Sequence, residues 1–318
     1  TERQLCDLEL ILNGGFAPLK RFMGKKDYDS VLDDMRFEDG TLWPMPITLD
    51  VNDEFAESIA QGDKITLRDH EGFALAVLTI TDIWQPDIEK ESQGVYGTMD
   101  ETHSGVNYLL NIGHKNYVGG TIQGISLPHY YDYQDYRHTP AELKSIFEEK
   151  GWNKVVGFQT RNPLHKAHVE MTLQAAKELD ANLLIHPVVG MTKPGDVDHY
   201  TRVRCYQHVL KKYPNNSAML SLLPLGMRMG GPREALWHAL IRKNYGCTHL
   251  VVGRDHAGPG NDKNGRPFYG PYDAQELLLK HQEEIGIEMV PFKFMVYLRK
   301  DECYKEIDKV KDGVNFQT

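Results

Sequence analysis

Lys154-Val155-Val156-Gly157-Phe158 runs directly into Gln159-Thr160-Arg161-Asn162-Pro163-Leu164-His165-Lys166-Ala167-His168, and the reading of this stretch decides the fold of the second half of the chain. A short apolar run ends at a polar segment. Apolar residues then recur at helical spacing through Leu164, Ala167, Met171, Ala175 and Leu179. The pattern changes from that of a buried strand to that of an amphipathic helix. Asn162 is a favoured N-cap residue and Pro163 suits the first helical position, so a helix is expected over 164–179.

The alternation repeats outward from there. Apolar runs at 182–189 (NLLIHPVV), 218–223 (AMLSLL), 249–253 (HLVVG) and 288–296 (EMVPFKFMV) alternate with helix-period segments at 200–212, 232–244 and 272–285. This implies an α/β fold with a parallel sheet covered on both faces. Such sheets bind ligands beyond the C-terminal ends of their strands. The residues after Phe158, Val189, Leu223 and Gly253 are therefore where chemistry is expected.

Upstream the pattern differs. Strand-like runs occupy 41–51 (TLWPMPITLDV), 64–68 (KITLR) and 73–84 (FALAVLTITDIW), and Asp69-His70-Glu71-Gly72 reads as a hairpin connection. Pro44 and Pro46 restrict the first run to an edge or bulged strand. One short helix is expected around 27–35, and the tyrosine-rich tract 119–136 reads as the connection between domains. The 318 residues thus divide into a small, mainly β domain over 1–131 and an α/β domain over 132–318. Charge divides at the same place: 1–131 has 22 acidic and 10 basic residues (net −12), whereas 132–318 has 23 acidic and 26 basic (net +3). Positive charge gathered in one half of an acidic chain suits an anionic small molecule.

Composition excludes several classes. With 41% hydrophobic and 25% charged residues the chain is a globular protein and not a disordered one. No apolar run approaches the roughly 18–20 residues of a membrane span, and the N-terminal TERQLCDLEL has no signal-peptide pattern. Cys6, Cys205, Cys247 and Cys303 are dispersed with no C-x-x-C pair, which argues against a disulfide scaffold or zinc ribbon and leads to the expectation of a reducing cytoplasm. Net acidity argues against nucleic acid as a partner. P-loop, complete G-x-G-x-x-G, H-E-x-x-H and G-x-S-x-G patterns are all missing.

Two loops carry the candidate chemistry. His165 and His168, three apart, would project from one side of a first helical turn beside free N–H groups, with Arg161 at their flank. That is an anion site by construction, although two solvent-facing histidines would give the same spacing. The second loop, Gly253-Arg254-Asp255-His256-Ala257-Gly258-Pro259-Gly260, lets backbone approach a ligand closely and supplies a planar guanidinium. A Gly/Pro surface turn with an incidental Arg is its plain alternative. Both loops follow predicted parallel strands, which favours the ligand reading. Arg228 and Arg233, in Met227-Arg228-Met229-Gly230-Gly231-Pro232-Arg233-Glu234-Ala235, either line the same pocket or pair with acidic neighbours; Lys193-Pro194-Gly195-Asp196 is a weaker candidate. His186, His199, His238, His249 and His281 have no partner at ligand spacing and read as structural or surface residues.

The stretches 159–168 (QTRNPLHKAH), 227–245 (MRMGGPREALWHALIRKNY) and 253–260 (GRDHAGPG), in this order and spacing, resemble the ATP sulfurylase family, as do 5–19 (LCDLELILNGGFAPL) and 268–277 (FYGPYDAQEL). The resemblance implies a PUA-like β domain followed by a Rossmann-like nucleotidyltransferase domain, and the reaction of ATP with sulfate to give adenosine 5′-phosphosulfate and pyrophosphate, with Mg²⁺. It implies sulfate contacts at Gln159, Arg161, Arg254 and Ala257. It implies ATP contacts at Gln159, Thr160, Arg161, Asn162, Gly253, Arg254, Asp255, His256 and near Met295, catalytic roles for Thr160, Arg161 and Asn162, and transition-state stabilisation by His165 and His168. No dedicated metal ligand is implied, and Asp255 is expected to hold its loop. A homo-oligomer is expected, as is a small third domain lying mostly past Thr318; Ser104 stands where the family more often has Pro. Sulfate at neutral pH has no proton, so a pocket of donors alone suits it and no general base is needed. Two other readings keep some of these features: a nucleotidyltransferase acting on a phosphorylated acceptor, and an RNA-binding PUA module, which the ten basic residues of 1–131 disfavour.

Overall fold

The computed structural model describes residues 1–164, 166–193, 195–292, 295–298, 303–306, 310 and 316–317. The first half contains α1 (Glu2–Leu12), β1 (Arg21–Phe22), α2 (Lys25–Asp34), β2 (Leu49–Val51), α3 (Asp53–Ser58), β3 (Lys64–Arg68), β4 (Ala74–Trp84), α4 (Ile88–Tyr96), α5 (Ser104–Asn107) and β5 (Asn116–Gly124). Its strands form one antiparallel sheet in the order β1-β5-β4-β3, with β2 also on β5. The expected hairpin is β3–β4.

Three expectations for this half are corrected. The run 41–51 is a strand only at β2, because Pro44 and Pro46 cannot donate to a ladder. The tract 119–136 is not all connection: its first six residues complete β5, the strand on which the sheet is built. Its glycines hide the strand and also make it possible, since a Cβ on Gly120 would lie 2.2 Å from the Thr79 carbonyl oxygen and one on Gly119 would lie 2.4 Å from that of Met23. Helices α1 and α4 accompany the expected α2. Helix α1 is started by a capping box between Thr1 and Gln4, whose short sequence cue is easily missed.

The second half follows the predicted alternation: α6 (Pro140–Glu149), β6 (Val155–Phe158), α7 (Lys166–Leu179), β7 (Asn182–Ile185), α8 (His199–Leu210), β8 (Ala218–Leu220), α9 (Gly231–Asn244), β9 (His249–Val252), α10 (Asp273–Ile285) and β10 (Glu288–Pro291). The sheet order is β10-β9-β6-β7-β8 and every pairing is parallel. The run 288–296 is two strands, not one. Pro291 closes β10 on the sheet edge, and β11 (Met295–Leu298) joins β12 (Cys303–Glu306) and β13 (Phe316–Gln317) in a separate antiparallel sheet. Helix α7 begins at Lys166, so Asn162 and Pro163 form a turn ahead of it instead of its cap. The Asn162 N–H is taken by the Thr160 hydroxyl at 3.1 Å, and its carbonyl accepts the Tyr206 hydroxyl at 2.8 Å.

One apolar core fills the β domain and continues onto one face of the parallel sheet, while a second lies on the other face, under α7 and α8. Helix α9 sits where the first core crosses between the domains and is buried on nearly every side, which is why it lacks an amphipathic pattern. Trp237 on α9 packs against Phe16 with ring centroids 5.1 Å apart, and Asn244 donates to the carbonyls of Gly15 and Ala17 at 2.9 and 2.7 Å. On the opposite edge the Tyr130 hydroxyl donates to the buried Glu9 carboxyl.

Burial pushes the Glu9 carboxyl up to about 7 from an ordinary 4.5, against the lowering effects of Tyr130 and Arg137. The folded chain thus holds this proton more tightly than the unfolded chain, so Glu9 costs stability as pH rises from about 4.5 to about 7. Replacing Glu9 by Gln is expected to flatten the fall in urea midpoint across that window, and an unchanged slope would show that Glu9 does not titrate there.

Candidate active site

The β6–α7 turn and the loop after β9 converge. Gln159, Thr160, Arg161, Asn162, His168 and Met171 form one wall of a cavity of about 300 Å³, and Gly253, Arg254, Asp255, His256, Ala257 and Gly258 form the facing wall; Met227 and Phe292 also line it. A neighbouring cleft of about 490 Å³ shares Arg161, Arg254, Asp255, His256 and Gly258 and extends to Lys193, Asn261 and Tyr269. Both guanidiniums therefore border the same space. Among the sequence-selected site residues, Met295 has its backbone in β11. His165 lies outside the described residues.

Each wall is held by identifiable contacts. Arg161 pairs through Nη1 with Asp196, whose side chain is 7% exposed, so the weaker candidate loop at 193–196 supplies a counter-charge that orients a cationic donor. Lys193 reaches the Pro259 carbonyl at 3.4 Å and joins that loop to the second one. Arg254 lies with Nε 3.1 Å from the Asp255 carboxylate and is about half exposed. Asp255 also holds its loop by backbone bonds, with its N–H on the Pro271 carbonyl at 2.9 Å and its carbonyl accepting from Gly258 at 3.1 Å.

The second loop is strained in a way that suits anion binding. Asp255 and Ala257 both have φ of 54°, a left-handed conformation that costs a non-glycine residue on the order of 1–2 kcal/mol. The turn leaves the N–H groups of His256 and Ala257 without a partner among the described residues. Backbone donors exposed by alternating handedness form the concavities in which anions bind. The loop is tied to α9 by Gly231 N–H on the Ala257 carbonyl at 3.1 Å.

Arg228 and Arg233 do not enter this cavity. Arg228 pairs with Asp7 of α1 at 2.5 Å, both side chains being almost wholly buried, and Arg233 donates to the carbonyls of Val31 and Leu32 at 3.0 and 2.8 Å. They fasten the two domains together.

The sequence reading missed what lies behind His256. Its Nε2 is 3.1 Å from Nδ1 of His238, whose Nε2 is 3.2 Å from the Glu234 carboxylate and 3.4 Å from the Gln159 amide nitrogen. Burial opposes ionisation of Glu234, yet hydrogen bonds from His238, Arg228 N–H and Gly230 N–H hold it below the usual carboxylate range. Burial lowers His238 despite Glu234. Burial, reinforced by His238 and Arg242, takes His256 well below an ordinary histidine. Both imidazoles are neutral at pH 7. The available cue was the spacing of Glu234, His238 and Arg242, which puts three ionisable groups on one stripe of a helix.

Residues 134–316 match the ATP-sulfurylase family and residues 1–127 match the PUA-like domain. The chain is 58% identical over 316 residues to the sulfate adenylyltransferase of Mycosarcoma maydis, covering 98% of this chain and 55% of that protein. It is 53% identical over 315 residues to the sulfate adenylyltransferase of Schizosaccharomyces pombe, covering 98% of this chain and 64% of that protein. The fold superposes on the hexameric APS kinase from Thiobacillus denitrificans with a TM-score of 0.79 at 28% identity, covering 100% of this chain and 55% of that one. The chain thus spans between about half and two thirds of the length of these relatives.

Tyr206 supplies the clearest single support of the first wall. Changing Tyr206 to Phe is expected to lower stability by about 1 kcal/mol in urea titrations. Amide exchange should accelerate at 159–164 while β6 stays protected, whereas unaltered exchange in the turn would mean that other contacts hold it.

Proposed function

The chain belongs to the ATP-sulfurylase family, and from that premise we propose that it transfers the adenylyl group of ATP to sulfate, releasing pyrophosphate and giving adenosine 5′-phosphosulfate. The observation that carries this reading is the meeting of Arg161 and Arg254, from separate loops, around one cavity rich in donors. Sulfate takes the side chains of Gln159, Arg161 and Arg254 and the Ala257 N–H. ATP lies along 159–162 and 253–256, with its base against the backbone at Met295. Thr160, Arg161, Asn162, His165 and His168 surround the α-phosphate as charge builds.

The chemistry follows from what sulfate lacks. A nucleophile with no proton needs positioning and not deprotonation, so catalysis reduces to in-line approach and neutralisation of the departing pyrophosphate. Arg161, oriented by Asp196, is suited to do both, since it lies where the two substrates meet. His168, on the first turn of α7, faces the same cavity and adds a donor on the phosphate side. In this reading a divalent metal enters with the triphosphate, since such an ion usually binds through substrate phosphates and keeps several waters, and Asp255 is a carboxylate that borders the cavity. Mg²⁺ carried on the triphosphate would offset charge on the leaving group, and Asp255 is a carboxylate of this chain that could accept hydrogen bonds from its waters.

The β domain of 1–131 acts as the scaffold that buries α9, and 132–318 carries the reaction. A homo-oligomer is supported by the exposed apolar side chains Phe73, Ile125 and Tyr131 around the β3–β4 hairpin, 62%, 58% and 73% exposed. A reducing cytoplasm is supported by Cys6, Cys205 and Cys247, all of them free. No described helix is long and apolar enough to cross a membrane.

Pyrophosphate release from ATP should require sulfate; release indifferent to sulfate, or driven better by a phosphorylated acceptor, would overturn the assignment. Arg161→Ala should lower turnover by on the order of 10³-fold, since it removes a contact to both substrates. His168→Ala should lower kcat by on the order of 10²-fold with little change in ATP affinity. An equal loss of affinity and rate would make His168 a docking group only.

A further inference from the structure

Glu234, His238 and Arg242 recur every fourth residue along α9, and each is fully buried. Three ionisable side chains buried on one stripe of a helix are expensive unless each is hydrogen-bonded or paired. Two of them lead, through His256, into the cavity.

We propose that Glu234 and His238 are positioning residues that lock His256 in one tautomer, so that a cavity rich in donors offers a fixed neutral acceptor, His256 Nδ1, to a donor group of the nucleoside. The proposal rests on the adenylyl-transfer reading for its consequence, but the lock itself is a property of the resting protein.

The proton order follows from the contacts. Glu234 accepts the Arg228 N–H on Oε1 at 3.0 Å and the Gly230 N–H on Oε2 at 2.8 Å. Backbone N–H groups cannot turn away or lose their protons, so the Glu234 carboxylate is acceptor-only. His238 must then carry its proton on Nε2, 3.2 Å from Glu234 Oε1; the Gln159 amide, 3.4 Å from the same atom, accepts from that N–H once its oxygen, otherwise buried with no partner among the described residues, is turned toward it. A neutral His238 is left with a lone pair on Nδ1, so His256, 3.1 Å away, must present Nε2–H to it. Neutral His256 therefore keeps its lone pair on Nδ1. That atom has no partner among the described residues, and the ring borders both the cavity and the adjoining cleft.

Charge around the pair keeps it neutral. Arg242 stands one turn beyond His238 on α9, and Arg254 and Arg161 flank the cavity side, against the carboxylates of Glu234 and Asp255. A neutral ring with a fixed lone pair is of no use to sulfate or to a triphosphate, which only accept. The donors ATP brings are its ribose hydroxyls and its exocyclic amine, so His256 reads the nucleoside and holds it in register with the anion-binding donors. Without the lock, His256 could present an N–H at Nδ1 and become another anion donor.

The lock is tested on the full chain labelled with ring-¹⁵N histidine, with the His256 signals identified by their loss in His256→Gln. The wild type should show His256 protonated at Nε2 and bare at Nδ1, and a proton on Nδ1 there would overturn the proposal before any variant is made. In His238→Phe the His256 signals should move to those of a mixed tautomer. In His238→Gln, whose amide can donate to Glu234 and accept from His256, the wild-type pattern should return; an unmoved tautomer in His238→Phe sinks the lock. In parallel, His238→Phe should lower kcat/KM for ATP by on the order of 10- to 100-fold, with His238→Gln within a few-fold of wild type. ATP, its 2′-deoxy and 3′-deoxy analogues and purine riboside triphosphate identify the donor. One of the analogues should be penalised by the wild type and not by His238→Phe, and equal treatment of all of them by the wild type would refute the reading of the nucleoside. A wild type lacking sulfate-dependent turnover would remove the functional assignment alone, since the resonance pattern judges the lock independently.

Discussion

The Glu234 carboxylate is buried in the first turn of a helix that is buried on nearly every side, and it is satisfied by two backbone N–H groups and one imidazole. Losing one of these hydrogen bonds to a buried charge typically costs about 1.5–3 kcal/mol. The carboxylate consequently fixes the segment 226–230 against α9. That segment carries Arg228 to its pair with Asp7 on α1, so the same group that orders the α/β half also closes it onto the β domain. The position of α9 in turn decides where the loop after β9 lies, through the bond from Gly231 to the Ala257 carbonyl. Domain contact and site geometry are one problem here, solved around one anion.

How far this was legible in the sequence depends on the kind of signal. The parallel sheet could be read because its strands are short apolar runs and most of its helices are amphipathic. The sheet rule then pointed to the residues after Phe158 and Gly253, which is where Arg161 and Arg254 meet. Strand β5 was hidden because close approach to Thr79 and Met23 demands glycine, and glycine reads as a break. The split at Phe292 was hidden because a run of apolar residues does not say which sheet it joins. His238 was set aside for a different reason: an isolated histidine in an apolar segment is usually core, and only the buried spacing with Glu234 and Arg242 distinguishes it.

Net charge is a poor guide to the site by itself. The chain is acidic, with a formal charge of −9, yet its cavity is bordered by two guanidiniums and by backbone N–H groups that have no partner among the described residues. What matters for a small anion is the field within a few ångströms, where low-dielectric walls and fixed dipoles outweigh a distant acidic domain screened by solvent. The surplus of basic residues in 132–318 is a faint trace of that local arrangement.

Pre-organisation ties these features together. Asp255 and Ala257 are held in a left-handed conformation that neither residue favours, and the loop does not relax because Pro271 and Gly231 grip it from two directions. Arg161 is likewise held in place by Asp196 before any ligand arrives. An ion pair of this kind weakens the field that a substrate feels, which looks like a cost. It is offset because a flexible guanidinium would have to surrender its rotamer freedom on binding, on the order of 2 kcal/mol for a side chain of this length. In the proposed adenylyl transfer the nucleophile, sulfate, gains nothing from a base, so such a site would lower the barrier only through placement. Spending stability on a strained loop and a pre-paired arginine is then the consistent solution, and a largely buried helix with a satisfied carboxylate at its head is what makes that strain sustainable.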